Sequence, residues 1–289
     1  MRRMFIFGLG YTASRLAHAL RRDGWRIDAT GRAGNIAFDD ESAVQAALAR
    51  TDCVLSSVPP DKDSGADPVL ARYGDALEGG WLGYLSSTGV YGDTAGAWVD
   101  ESAPLADNSR ARCDAAWAAQ GARVFRLPGI YGPGRSVFDR LREGRAHRID
   151  LPEQVFSRVH VDDIVAGVKA ALISDAPPGA YNLADDLPCS HNLVVEHACR
   201  LLGIAPPPLR TMDEAGLSAM ARGFYEQNRR VANGCARRVL GWRPRYPTFA
   251  EGLAALKDGA SAGTDFALNA TTIPATASTP PVTASGDQR

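Results

Sequence analysis

Short apolar runs and stretches of helical periodicity alternate along the first half of the chain. Each apolar run is followed by a longer segment in which apolar residues recur every three or four positions, as on one face of a helix. We predict strands at 4–7, 25–30, 53–57, 81–86 and 123–127, and helices at 12–22, 41–49, 69–77 and 111–120. Repeated strand–helix units of this length are typical of a doubly wound parallel α/β sheet. Ligands of such sheets bind outside the carboxyl ends of the strands.

The second half of the chain is more often interrupted by proline and glycine, as in 175–182 and 205–210. Helical periodicity returns at 161–173 and at 192–202, and Ser190 is placed to cap the second of these helices. From residue 259 onward the chain is rich in Ala, Thr, Ser and Pro. Such a composition buries too little apolar surface to offset chain ordering, so we predict a disordered tail over 259–289.

Composition and charge exclude several classes of protein. The 289 residues include 32 basic and 33 acidic side chains, which argues against a dedicated nucleic-acid or membrane-surface binder. No apolar run approaches the roughly 18 residues that a membrane span needs. The first strand begins almost at Met1, so we expect no signal peptide and a cytoplasmic location. Five cysteines without a CxxC pair predict reduced thiols and no metal site.

A glycine loop joins the first strand to the first helix. Gly8 permits a tight turn, Gly10 lets the backbone approach a pyrophosphate, and Ala13 is small enough for close helix–strand packing. The helix N-terminus offers free N–H groups and a partial positive charge to phosphates. We therefore predict a dinucleotide site that also includes Tyr11 and Thr12. A plain tight turn is the alternative interpretation.

The end of the second strand bears on the choice of cofactor. NAD sites often place a carboxylate there, but this strand ends in Ala-Thr-Gly followed by Arg32, and Asp28 lies inside the strand. The Arg32 guanidinium could form a fork with a 2′-phosphate. This favours NADP(H), with NAD as the open alternative. A solvated surface arginine is the competing interpretation of Arg32.

Four further segments follow the glycine loop in a recognisable order: SSTGVYGD (86–93), RLPGIYGPGR (126–135), SRVHVDDIV (157–165) and RRVLGWRPRYPTFAEGL (237–253). Together the motifs resemble the extended short-chain dehydrogenase/reductase superfamily, in its NAD-dependent epimerase/dehydratase branch. The resemblance extends to about residue 258 and implies a Rossmann-type domain over 1–258. In it, 1–132 and 160–188 mainly form the cofactor part, and 133–159 and 189–258 mainly form a smaller C-terminal substrate lobe.

The resemblance also implies roles for individual residues. Ser87 falls where the superfamily has its catalytic Ser/Thr, and Thr88 beside it could substitute. Arg158 and His160 fall in the segment that closes the substrate side of the cleft. The implied cofactor contacts after the third and fifth strands are Val58, Pro59, Pro128, Gly129 and Ile130.

The chain departs from the superfamily at its catalytic tyrosine–lysine pair. Alignment of Asp114 and Trp117 with the family's helix places Arg110 at the lysine position and Ala106 at the tyrosine position. Arginine can hold ribose hydroxyls, but it stays protonated and cannot replace a phenol of tuned pKa. The pattern resembles the atypical subgroup, which keeps the cofactor fold without this pair.

Two hypotheses follow from these features. In the first, the protein is an NADP(H)-dependent oxidoreductase or epimerase-like enzyme acting on a small hydroxyl or carbonyl compound, for example a sugar. Ser87 or Thr88 orients the substrate oxygen, and His160 and Asp107 are the candidates for proton transfer. In the second, the protein is a non-catalytic dinucleotide-binding sensor or partner protein. The resemblance adds a homodimer as an expectation, and we expect no nucleic-acid or membrane partner.

Overall fold

A parallel β-sheet forms the centre of the protein. The computed structural model describes residues 2–77, 80–174 and 176–261. The strands are β1 Arg3–Phe7, β2 Arg26–Ala29, β3 Cys53–Ser56, β4 Trp81–Ser87, β5 Trp98–Val99, β6 Arg123–Leu127, β7 Gly129–Tyr131, β8 Arg148–Ile149, β9 Arg158–His160, β10 Gly179–Asn182, β11 Leu209–Arg210 and β12 Arg230–Val231. The helices are α1 Tyr11–Arg22, α2 Glu41–Leu48, α3 Pro68–Tyr73, α4 Ser109–Ala119, α5 Val137–Arg142, α6 Val161–Ile173, α7 His191–Leu202, α8 Ala219–Gly223, α9 Gly234–Val239 and α10 Phe249–Ser261.

Within the described residues the main sheet has six parallel strands, in the order β10-β6-β4-β3-β1-β2. The predicted doubly wound α/β fold is confirmed, and all five predicted strands are present. The sixth strand, β10, lies in the proline-rich part where we predicted none. The bounds of α6 agree with the prediction, and Ser190 caps α7 by accepting a hydrogen bond from the Leu193 N–H (3.2 Å).

Side chains of β1 alternate between two hydrophobic cores, one on each face of the sheet. Met4 and Ile6 pack with α1 and α6, whereas Phe5 and Phe7 pack with α2, α3 and Trp117 of α4. A strand buried on both faces must be apolar at every position, which explains the unbroken run at 4–7. Helices on both faces leave the strand ends open for ligands.

A third core holds the C-terminal lobe together. It joins Val137 and Phe138 of α5 to Val195 of α7 and to Phe249 and Leu253 of α10. Helix α10 continues to Ser261, three residues into the predicted tail, and 262–289 lie outside the described residues. Of the helices in the described part, none combines the length and apolar character that a membrane span requires.

A buried ion pair links β6 to α4. Arg126 donates from Nη2 to Asp114 Oδ1 (2.7 Å) and from Nε to Asp114 Oδ2 (3.1 Å), and both residues are buried. Ser86 at the end of β4 donates to the same carboxylate at 2.6 Å. Buried charges are tolerated when the pair is bidentate and the remaining polar atoms are satisfied.

The ion pair continues into a chain of hydrogen bonds that reaches the second half of the protein. Arg126 Nη1 donates to the Tyr91 hydroxyl (3.0 Å), which donates to Asn182 Oδ1 (2.7 Å). The Asn182 amide donates to the Ala232 carbonyl, just before α9 (3.1 Å). This network connects β4, α4, β6, β10 and the segment preceding α9.

Replacing Asp114 by Asn should lower the free energy of unfolding by about 3–5 kcal/mol, because it leaves Arg126 as an uncompensated buried charge. The matched control is Asp107→Asn, which breaks the exposed Arg112–Asp107 pair (2.9 Å) and should change stability little. Urea unfolding followed by tryptophan fluorescence measures both variants. Similar losses in the two variants would contradict a special role for the buried pair.

Candidate functional site

The loop between β1 and α1 is held by residues at the ends of β2 and β3. Leu9 N donates to the Thr30 carbonyl (2.8 Å), and Gly8 N donates to Thr30 Oγ1 (3.2 Å). The Ser57 hydroxyl donates to the Gly8 carbonyl. Gly8 has a φ of +82°, and a Cβ there would lie 2.9 Å from Val58 Cγ2. Only glycine fits this backbone and this close approach.

The N-terminus of α1 is open. Gly10 precedes the helix in an extended conformation; no side chain caps it, and the first turn contains no acidic residue. A Cβ on Gly10 would meet no atom within 4 Å, whereas Ala13 is buried in the core beneath. The first-turn N–H groups, which include those of Tyr11 and Thr12, therefore face a position where an anion is favoured by the helix dipole.

Tyr11 connects this loop to the segment after β7. Its hydroxyl donates to the Pro133 carbonyl (3.1 Å), and a Cβ on Gly132 would lie 2.7 Å from that hydroxyl. The guanidinium of Arg135 lies 5.6 Å from the centre of the tyrosine ring. Burial raises the pKa of Tyr11 above its ordinary value. The predicted pyrophosphate loop and the segment after β7 thus meet at one edge of the sheet.

The other predicted cofactor residues also lie at the carboxyl ends of strands. Val58 and Pro59 follow β3 after Ser57, Pro128 lies between β6 and β7, and Ile130 is the middle residue of β7. These positions agree with the edge at which parallel α/β sheets bind ligands. Each of these side chains is at least partly accessible.

Arg32 lies exposed in the turn after β2. Its guanidinium forms no ion pair with any described residue. Asp28, the only acid in β2, instead accepts a hydrogen bond from the Asn35 side chain (2.9 Å), and the same side chain accepts from the Ala29 N–H. The end of β2 therefore offers a free cation and a carboxylate that is already engaged.

The hydroxyl cluster after β4 is divided between structural and available groups. Ser86 is committed to Asp114, and Thr88 is buried at the start of a short 3₁₀ helix. Ser87 is half-buried, and its Oγ accepts a hydrogen bond from Gly89 N (3.1 Å). This bond occupies one lone pair and leaves the hydroxyl hydrogen free to donate. Ser87 is the hydroxyl best placed to bind a ligand.

Arg110 and Ala106 both lie against the turn that follows Ser87. A Cβ on Gly89 would be 3.9 Å from Arg110 Cδ, so the exposed arginine borders this turn. The Ala106 N–H donates to the Val90 carbonyl (2.7 Å). The position that the family resemblance assigns to tyrosine is therefore next to the hydroxyl cluster, but it carries only a methyl group.

The two candidates for proton transfer have different surroundings. His160 is the N-cap of α6: its Nδ1 accepts from Asp162 N (3.2 Å), and its ring lies 4.3 Å from that of Tyr246. Burial lowers the pKa of His160 to about 4, so the imidazole is neutral at neutral pH. Asp107 lies at the surface and pairs with Arg112. Neither environment resembles that of a general acid tuned to neutral pH.

A group of buried polar atoms around Tyr131, whose ring lies 5.1 Å from that of His160 and whose hydroxyl is influenced by the Asp185 carboxylate, was not predicted from the sequence. The two carboxylate oxygens of Asp185, the Tyr131 hydroxyl and His160 Nε2 have no hydrogen-bond partner in the described part of the chain. Burial raises the pKa of Asp185 to about 7. Nothing in the sequence distinguishes Asp185 from its neighbour Asp186. In the structure, however, Asp186 forms an ion pair with Arg237 (2.6 Å).

No protein-family model matches the chain. Among solved structures, it is similar to a functionally unknown conserved protein from Silicibacter pomeroyi, with a TM-score of 0.79 and 39% identity over 90% of this chain and 99% of that one. It is also similar to the human epimerase family protein SDR39U1 with NADPH, with a TM-score of 0.72 and 16% identity over 89% of this chain and 99% of that one. At 16% identity, the similarity to the human protein shows a shared fold only.

Two sequence relatives complete the comparison. The chain is 36% identical to a 3-diazoavenalumate denitrifying reductase from a Streptomyces species over 144 residues, which is 45% of this chain and 45% of that protein. It spans less than half of the reductase. It is 24% identical to protein YeeZ of Escherichia coli K12 over 287 residues, which cover 86% of this chain and 97% of YeeZ.

Replacing Asp185 by Asn should stabilise the protein as the pH rises. The pKa of Asp185 is raised from 3.8 to about 7, so between these values the folded state keeps a proton that the unfolded state loses. Wild-type stability contributed by this group therefore falls as the pH rises through that window. We expect D185N to be more stable than wild type by about 1–3 kcal/mol near pH 8 and to gain little near pH 4.

Urea unfolding at a series of pH values measures this difference. The control is Asp186→Asn, which breaks the pair with Arg237 and should give no gain at any pH. A D185N gain that is independent of pH would contradict the prediction.

Proposed function

Because this chain belongs to the family of the conserved Silicibacter pomeroyi protein and has the fold of the extended short-chain dehydrogenase/reductase superfamily, we propose that it is an NADP(H)-dependent oxidoreductase or epimerase-like enzyme. Its substrate in this proposal is a small hydroxyl or carbonyl compound, for example a sugar. The observation that carries the proposal is the uncapped N-terminus of α1 beside Gly8 and Gly10.

The residues at this edge fit a dinucleotide. The open helix N-terminus suits a pyrophosphate, and the absence of a Cβ at Gly10 leaves room for it. A bound nicotinamide dinucleotide would supply or accept a hydride. The residues that would hold it are Gly8, Gly10, Tyr11, Thr12, Ala13, Arg32, Val58, Pro59, Pro128 and Ile130.

The surroundings of β2 favour NADP(H) over NAD. Arg32 is exposed and has no ion-pair partner among the described residues, so its planar fork is free to meet a 2′-phosphate. Asp28 is engaged by Asn35 and sits before the end of the strand, which weakens the case for a carboxylate on a ribose hydroxyl. NAD stays the alternative cofactor.

We propose that the Ser87 hydroxyl donates a hydrogen bond to the reacting oxygen of the substrate. Gly89 N fixes its Oγ, and the free hydroxyl hydrogen can donate to a carbonyl or alkoxide oxygen. Arg110 borders the same turn and would hold ribose hydroxyls. Thr88 is buried and supports the turn rather than the substrate.

Water is the proposed source of the proton. The family resemblance assigns Ala106 to the tyrosine position, and His160 is neutral and buried. The lack of a tuned acid would cost about 10²–10⁴-fold in rate. Good orientation of the carbonyl can be worth roughly 7–11 kcal/mol, so turnover without the acid remains substantial.

The relatives support this proposal. The Streptomyces protein that shares 36% identity with part of this chain is a reductase by name, and the human protein of the same fold was crystallised with NADPH. Neither fixes the substrate of this chain. The alternative function is a non-catalytic dinucleotide sensor or partner protein, which the methyl group of Ala106 and the buried His160 favour.

Arg32→Gln should weaken NADPH binding about tenfold or more and leave NADH binding unchanged, because it removes a charge-assisted fork on the 2′-phosphate. Titration of the full chain, followed by nicotinamide fluorescence, measures both affinities. Arg22→Gln, an exposed arginine near the end of α1, is the matched control. Equal affinities of wild type for NADPH and NADH would contradict the role of Arg32. Binding of neither by folded protein would overturn the dinucleotide site.

Ser87→Ala combined with Thr88→Val should abolish most turnover while NADPH affinity survives. The measurement is NADPH consumption across a panel of small aldehydes, ketones and keto-sugars, with Thr88→Val alone as the control that keeps Ser87. We expect the control to retain its rate. A wild-type protein that binds NADPH but consumes it with no carbonyl compound would favour the sensor function.

A further inference from the structure

A groove of about 600 Å³ lies at the amino ends of β1 and β2, where the sheet begins. Its lining includes the four arginines Arg3, Arg21, Arg26 and Arg50, together with Trp25. The proposed dinucleotide loop is at the other end of the same strands. One strand residue spans about 3.3 Å, so Arg26 and Thr30 are about 13 Å apart along the chain.

The register of the sheet places two of these arginines side by side. Arg3 and Arg26 are paired in the parallel β1–β2 ladder. Like charges directly opposite each other on neighbouring strands destabilise a sheet. A third cation, Arg50, comes from the turn after α2, and Arg21 comes from the last turn of α1. The fold therefore assembles a repulsive cluster from three separate parts of the chain.

These guanidiniums have little compensation from the protein. None of the four forms an ion pair with another described residue. Asp28 is the only acid in the lining, and its carboxylate accepts a hydrogen bond from Asn35. Arg21 donates to the Ile27 carbonyl (3.4 Å), and its position near a helix C-terminus is favourable in itself. Arg50, just after the C-cap of α2, has a similar helix C-terminus beside it, whereas Arg3 and Arg26 lie on strands and have none.

We infer that this groove binds a small molecule carrying two or more phosphoryl groups, at a second site independent of the dinucleotide loop. Four positive charges against one carboxylate leave an excess that a single negative charge does not balance. Planar guanidinium forks match phosphate oxygens in pairs, so several arginines around one groove suit a chain of phosphates. The inference does not rest on the proposed function.

Trp25 provides a fluorescence signal for binding in this groove. Its indole lines the groove, and the Arg2 guanidinium lies 5.4 Å from the ring centre. A polyanion that draws the arginines together changes the charge around this ring. Trp25 emission should therefore change on binding, and Trp25→Phe should remove the signal while leaving the binding heat in place.

The test is a titration of the full chain with inorganic tripolyphosphate at low ionic strength, by calorimetry and by tryptophan fluorescence. We expect saturable binding that persists when oxidised NADP is present in excess. Arg26→Gln with Arg50→Gln should weaken it about tenfold or more, because it removes two charge-assisted contacts. The matched control is Arg22→Gln with Arg200→Gln, which removes two exposed charges outside the groove and should leave affinity unchanged.

Parallel titrations with ATP and with a single-stranded RNA distinguish the ligand class. ATP binding as tight as tripolyphosphate, or tighter with the same dependence on Arg26 and Arg50, supports the inference and identifies a nucleotide as the better source of phosphates. Absence of saturable tripolyphosphate binding, or equal weakening in both double variants, would overturn it. RNA binding far tighter than both small ligands would overturn the small-molecule assignment.

Discussion

The buried pair of Asp114 and Arg126 is the constraint on which the rest of this structure depends. Two charges removed from water are tolerated only when every polar atom around them is satisfied, and here Ser86, Tyr91 and Asn182 complete the set. The pair therefore fixes α4 against the ends of β4 and β6. It also passes through Tyr91 and Asn182 to the segment before α9, which belongs to the second half of the chain.

This constraint separates the roles of the two serine hydroxyls at the end of β4. Successive side chains of a strand point to opposite faces, so the commitment of Ser86 to Asp114 turns Ser87 the other way. The Gly89 N–H then fixes the Ser87 oxygen. Ser86 thus belongs to the buried network, and the adjacent Ser87 is the candidate ligand group. We expect a substitution at either serine to disturb both the network and the candidate group.

The two ends of the sheet present positive charge by different physical means. At the carboxyl end, an uncapped helix N-terminus and a glycine loop provide backbone N–H groups, which bring partial charges close to a ligand without side chains. At the amino end, full charges on arginine side chains line an open groove. The first arrangement depends on close backbone approach, and the second depends on strand register.

Local sequence patterns were sufficient to predict much of the secondary structure of this protein. Periodicity predicted the five strands, the bounds of α6 and the capping role of Ser190, because these features depend on neighbouring residues alone. The glycine loop could also be predicted from the sequence, because a tight turn between a buried strand and a helix requires small residues in a fixed order. The family resemblance extended these local features to the overall fold.

Features that depend on residues far apart in the chain could not be predicted from the sequence. Strand β10 is short and flanked by proline, and it exists because β6 offers it a ladder. Asp185 and Asp186 are adjacent and identical in kind, yet burial raises the pKa of Asp185 while Arg237 pairs with Asp186. Arg3 and Arg26 become neighbours only through sheet register. The sequence by itself determined the strands and helices of the first half, α6, α7 and the glycine loop, through short-range sterics and periodicity. The tertiary structure alone decided β10, burial, register and which charges face one another, because these depend on residues far apart in the sequence.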